Sequence, residues 1–125
     1  MSKPPITWID PHIHFFALNE GHYDWLKPAN APFWSDKKAI AKHTTEHMLY
    51  RASLGQLRGF VHIEAGYDNE RPWREIAYLE RHCTLPFRSV GCIDLTGNNV
   101  GSHIDKLKRY HSIRGLRHIL DDDAK

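Results

Sequence analysis

Residues 59–66 read Gly59-Phe60-Val61-His62-Ile63-Glu64-Ala65-Gly66. Two glycines bracket a run too short for a helix and rich in Phe, Val and Ile, which predicts a strand. Side chains alternate faces along a strand. Val61, Ile63 and Ala65 therefore form one apolar face, and Phe60, His62 and Glu64 the other. The expectation is a strand with helices packed on its apolar face and a site on its polar one, Glu64 reaching that site from the C-terminal end.

Working outward, elements alternate on both sides. Upstream, residues 45–54 read as a helix, with Thr44 or Thr45 as N-cap, Gly55 as the C′ glycine, and Met48, Leu49 and Ala52 as its apolar stripe. A short helical turn is expected over 36–41. Downstream, Asn69 is expected to cap a helix with Pro72 in its first turn, running to about residue 82 and burying Trp73, Ile76, Ala77 and Leu79. A strand follows over 89–95, then Gly97-Asn98-Asn99 as a turn. Val100, Ile104 and Leu107 give helical spacing over 100–110, and residues 113–120 (IRGLRHIL) read as a last strand. The first strand starts within 6–9 and ends by Phe15. Residues 16–35 carry Gly21, Pro28 and Pro32 and no helical period, so they are expected to form a loop. That loop holds Phe16, Tyr23, Trp25, Phe33 and Trp34, a plausible cover for a substrate. The order β-α-β-α-β-α-β predicts parallel strands joined by right-handed helical crossovers.

The first strand carries the chemistry. Ile9-Asp10-Pro11-His12-Ile13-His14-Phe15 contains a His-x-His, which places two imidazoles on one face, about 7 Å apart along the strand. Asp10 shares that face if the strand stays regular through Pro11. Such a pair can ligate Zn²⁺ or a similar ion, or bind a carboxylate or a developing oxyanion; a pair of surface histidines among the ten in this chain is the plain alternative. Every other polar candidate also falls near a strand's C-terminal end: Glu64, Asp94, Arg117 and His118. Ligands bind at that end in barrels and in open parallel sheets alike. Neither GxGxxG nor GxxxxGK[ST] follows a strand, which argues against a dinucleotide or P-loop site.

Composition narrows the classes. The 125 residues suffice for one domain, 1–125, and are 41% hydrophobic and 26% charged, with a net charge of +2. Scattered basic residues give no footprint for nucleic acid or an anionic membrane. No apolar run approaches the roughly 20 residues of a membrane span and no signal-peptide core is present, so a cytoplasmic setting is expected. Cys83 and Cys92 lack CxxC spacing and read as small apolar residues.

The motifs resemble the amidohydrolase-related (amidohydrolase 2) family of lactone hydrolases, which includes fuconolactonases and 2-pyrone-4,6-dicarboxylate lactonases. The likeness runs through WIDPHIHFF (8–16), Tyr23-Asp24-Trp25-Leu26, VHIEAGYDNERPW (61–73) with Glu70 and Trp73, VGCIDL (90–95) and GLRHILDDD (115–123). It implies an α/β fold of the (β/α)8 TIM-barrel type and hydrolysis of a lactone of a sugar acid or aromatic-breakdown intermediate, by attack of an activated water on the carbonyl. His12 and His14 would be the catalytic pair, and also the metal ligands in those members that bind a divalent ion; other members use none. Arg117 would hold a substrate carboxylate or carbonyl, for which a planar guanidinium fork is suited. Glu64, Tyr23, Trp25 and His118 would line the same pocket, although alternation turns His118 away from Arg117 and toward a helix. An eight-stranded barrel takes about 250 residues, and this chain supplies about the first four βα units. The family's general-base aspartate, at the end of the eighth strand, has no counterpart here. Two half-barrels could pair as a homodimer. A non-catalytic metal- or carboxylate-binding α/β module is the second reading, and a functionless remnant the third.

Overall fold

The computed structural model describes residues 3–120. Four strands, β1 (Trp8–Ile13), β2 (Leu57–Ile63), β3 (Phe87–Cys92) and β4 (Ile113–Arg117), form one parallel sheet in the order β1-β2-β3-β4. Between them lie α1 (Lys37–Ile40), α2 (Glu46–Ala52), α3 (Trp73–His82) and α4 (Val100–Leu107). The expected alternation and parallel pairing are present, and the fold is mixed α/β. Among the described residues β1 and β4 each pair on one side only. Pro11, which has no N–H to give a ladder, sits in edge strand β1 where the register to β2 is irregular between Asp10 and Ile13. Asp10 Oδ1 accepts the His12 N–H there, at 3.0 Å.

The faces of β2 are the reverse of those expected. Phe60 stacks on Phe87 at 5.3 Å and meets Phe15 edge-on at 5.2 Å, in one core cluster with Tyr78 and Leu79 of α3. Phe60 and His62 are 2% and 0% exposed, whereas Val61 and Ile63 stay half-buried on the opposite, open face. The large aromatic gains most from burial under helices. His62 is half-satisfied there: its Nε2 accepts the Phe15 N–H at 3.0 Å, while its Nδ1 is buried without a partner among the described residues. The same face continues through β3, where Gly91 lies against Leu107 of α4 with Ile113 and Leu116 of β4. β2 ends at Ile63, so the alternation does not extend to Glu64.

Several local expectations also change. Thr45, not Thr44, caps α2, its side chain accepting the Met48 N–H at 3.2 Å. The C′ residue is Leu54 (φ 56°) and Gly55 follows it at φ 75°. Leu54 N–H donates to Arg51 O and Gly55 N–H to Tyr50 O, the paired bonds of a Schellman motif. Met48 and Ala52 are exposed, and only Leu49 of the expected stripe reaches the core. Asn69 does not cap α3. The turn before that helix is held by Asp68, whose Oδ1 accepts the Glu70 and Arg71 N–H groups, both at 3.0 Å. The loop 16–35 contains one 3₁₀ turn, Asp24–Leu26. Among the described residues no helix is long and apolar enough to cross a membrane. Asp121, Asp122 and Asp123 of the GLRHILDDD motif lie outside the described residues.

Candidate functional site

At the C-terminal ends of the strands lies a cleft of about 510 Å³, whose walls include His14, Trp25, Glu64, Asp94, Arg117 and His118. Glu64 (3% exposed) stands at the exit of β2, and Arg117 closes β4. Arg117 Nε donates to Glu64 Oε1 at 2.9 Å and Nη2 donates to the Glu64 carbonyl at 2.9 Å, while Nη2 also lies 2.9 Å from Oε1 as an ion pair. The guanidinium thus has one edge fixed on Glu64. Its Nη1 has no protein acceptor among the described residues and keeps donors for a ligand.

The two histidines at the end of β1 converge. His12 Nε2 and His14 Nε2 are 3.3 Å apart, with ring centroids at 5.0 Å. His14 Nδ1 lies 2.8 Å from the Ile63 carbonyl. A carbonyl only accepts, so Nδ1 carries the proton and Nε2 presents its lone pair. Burial lowers the His14 pKa, and the nearby His12 adds to this, against the raising effect of the Ile63 bond, so the neutral ring is favoured. His14 lines the cleft, while His12 is exposed beside it.

Two nitrogens bound to one tetrahedral zinc at 2.0–2.1 Å lie about 3.3 Å apart, so this pair fits the spacing of two ligands on one divalent ion. Among the described residues no group of three or more His, Cys, Asp or Glu side chains is arranged to hold a metal. A closed site would need donors from elsewhere.

The remaining predicted residues separate. Trp25 forms a wall: its Nε1 donates to the Ala65 carbonyl at 2.7 Å, and its ring stacks on Trp34 at 6.2 Å. Gly66 (φ 78°) makes room for that indole, since a Cβ there would come within 2.8 Å of it. His118 lines the cleft, although alternation would have turned it away, because β4 has ended at Arg117. Its Nδ1 accepts the Leu95 N–H at 2.9 Å. Tyr23 lies elsewhere. It is 2% exposed, and its hydroxyl accepts the Ala17 N–H at 2.9 Å, so it organises the loop's own core and does not line the cleft. Cys92 is in the cleft wall, but burial pushes its thiol up to about 12 and leaves it inert at neutral pH.

One buried residue near the site escaped the sequence reading. Glu75, in the first turn of α3, is pushed up to about 8 by burial and then by the charge of Glu64. A glutamate early in a helix ordinarily reads as a surface partner of the helix dipole, so the sequence carries no signal for it.

No family model matches the chain. It is 32% identical, over 129 aligned positions, to the uncharacterized protein y4mH of Sinorhizobium fredii, the match covering 96% of this chain and 43% of that protein. The chain thus spans less than half the length of the curated relative it matches. No solved structure matches it.

Proposed function

We propose that this chain is the substrate-orienting part of a lactone hydrolase of the amidohydrolase type, contributing the first four βα units of a (β/α)8 barrel. The observation that carries the reading is that His14, Glu64 and Arg117, at or just past the ends of three different strands, share one cleft at the C-terminal ends. The unbroken strand order supports it as well. A doubly wound sheet reverses direction at a switch point, and no reversal occurs across these four strands. In this reading Arg117 holds a carboxylate of the lactone through Nη1 while Glu64 fixes its other edge. Trp25 lies against the ring. His12 and His14 would hold a divalent ion, which, when bound, polarises the lactone carbonyl as a Lewis acid.

The general base is the missing part. Asp94 lines the cleft, but its Oδ1 accepts both the Thr96 N–H and hydroxyl, and these bonds hold its carboxyl below the usual range. Glu64 is engaged by Arg117. These two engagements favour, for the 125 residues alone, the second reading of a non-catalytic carboxylate-binding module. A homodimer closing eight strands, or the remainder of a longer polypeptide, would supply the opposite wall.

Titration calorimetry with 2-pyrone-4,6-dicarboxylate and with a sugar-acid lactone, beside a hydrolysis assay and light scattering, tests this. Binding lost in Arg117→Ala is expected, with turnover only if the chain dimerises. Turnover unaffected by His12→Ala would overturn the role of that residue, and the absence of any carboxylate or lactone binding would overturn the reading.

A further inference from the structure

Glu75 is 3% exposed and does not line the cleft. Its Oε2 accepts the backbone N–H of Ala65, the residue after Glu64, at 3.0 Å. We propose that Glu75 is a positioning residue, its carboxyl pinning the backbone at the exit of β2 so that Glu64 turns into the cleft and meets Arg117. The geometry of β2 makes such a device necessary. Regular alternation would send Glu64 to the helix-covered face with Phe60 and His62. Instead the strand ends at Ile63, Glu64 N–H still reaches Val90 O at 2.9 Å, and Ala65 is the first residue to leave the ladder. A buried N–H without a partner at that point would be costly, and α3, the next element in the chain, supplies the acceptor. His62 repeats the pattern on β1, where it accepts the N–H of Phe15, the residue after His14.

Being neutral at pH 7, Glu75 does this without placing a second negative charge beside Glu64, so the Arg117 guanidinium faces one carboxylate and keeps its attraction for an anionic ligand. The inference concerns the Glu64–Arg117 pair itself and is separable from the choice of ligand.

Amide exchange at Ala65 and the Nε–H signal of Arg117, read by NMR on the full chain with β3 amides as internal reference, test it. Glu75→Gln retains an acceptor and should keep both protected. Glu75→Leu, and Glu75→Asp with its carboxyl one methylene short, should speed both exchanges at least about tenfold while β3 is unchanged. If Glu75→Leu does not fold, Glu75→Asp decides. Protection of both protons in Glu75→Asp would overturn the proposal, and so would their loss in Glu75→Gln.

Discussion

Arg117 grips Glu64 twice, at the side chain and at the backbone: Oε1 accepts from Nε and the carbonyl accepts from Nη2, each at 2.9 Å. The two residues stand 53 positions apart in the chain, Glu64 just past the end of β2 and Arg117 at the end of β4, strands that are not neighbours. The contact therefore spans β3 and fixes the cleft's width from both sides. One planar group here binds Glu64 along one edge and, among the described residues, leaves Nη1 without an acceptor.

Arg117→Lys should accordingly lose more than charge arithmetic suggests. A lysine can satisfy Glu64 or a ligand carboxylate from one point, but not both in a fixed plane. Binding of a carboxylate ligand should weaken roughly tenfold or more by calorimetry, the scale of one charge-assisted hydrogen bond. Glu64→Ala should lower stability by about 1–3 kcal/mol in urea unfolding, since it strips the carboxylate partner from an Arg117 side chain that is 34% exposed.

The parallel pairing of the strands and the gathering of polar residues at their C-terminal ends were legible because they rest on robust signals: alternation of element types, and polar residues interrupting apolar runs at one end. The inner face of β2 was not. Its odd face is wholly apolar and its even face mixed, and hydrophobicity alone assigns the odd face to the helices. Packing chose the even face because Phe60 finds two rings, Phe15 and Phe87, from neighbouring strands, and that is a tertiary fact. His118 and Glu64 reached the cleft for a reason sequence periodicity also misses, that each follows the last regular residue of its strand. Tyr23 was misplaced because an aromatic in a loop looks the same whether it covers a ligand or fills the loop's own core.

At the end of α2, Leu54 occupies the left-handed C′ position at φ 56° with its side chain 87% exposed. The conformation strains a residue with a Cβ, and an exposed leucine gains little from burial there. The Schellman bonds are made by backbone alone, so glycine keeps them. Leu54→Gly should raise stability by about 0.5–1 kcal/mol, the strain relieved less the extra chain entropy of glycine. A thermal midpoint unchanged or lowered would contradict this account of the turn.

Lys37 is buried, its Nζ donating to the Asn30 carbonyl at 2.6 Å and the Pro32 carbonyl at 3.0 Å, with the Phe33 and Trp34 rings 5.7 and 5.8 Å away. One ammonium thus gathers the loop whose Trp34 braces Trp25 in the cleft wall. Lys37→Met keeps the stem and removes the donors. Stability should fall by about 1–3 kcal/mol, and quenching of tryptophan fluorescence by acrylamide should increase as Trp34 loosens.

His62 and Glu75 give stability opposite dependences on pH. Burial holds His62 down at about 3 from an ordinary 6.5. The unfolded chain therefore takes up a proton that the fold refuses, and the contribution is complete above 6.5 and lost as pH falls toward 3. Glu75 is raised from 4.5 to about 8, so the fold retains a proton that the unfolded chain releases. Its contribution is complete below 4.5 and lost as pH rises through 8. Between about 4.5 and 6.5 the two slopes cancel, and these groups alone give a plateau there with a falling limb on each side. Glu75→Gln, neutral at every pH, should flatten the alkaline limb and melt several degrees above wild type at pH 9. His62→Gln should flatten the acid limb between 6.5 and 3 without moving the alkaline one. Urea midpoints across this range separate the two, and parallel curves for Glu75→Gln and wild type above pH 7 would show that Glu75 is ionised in the fold.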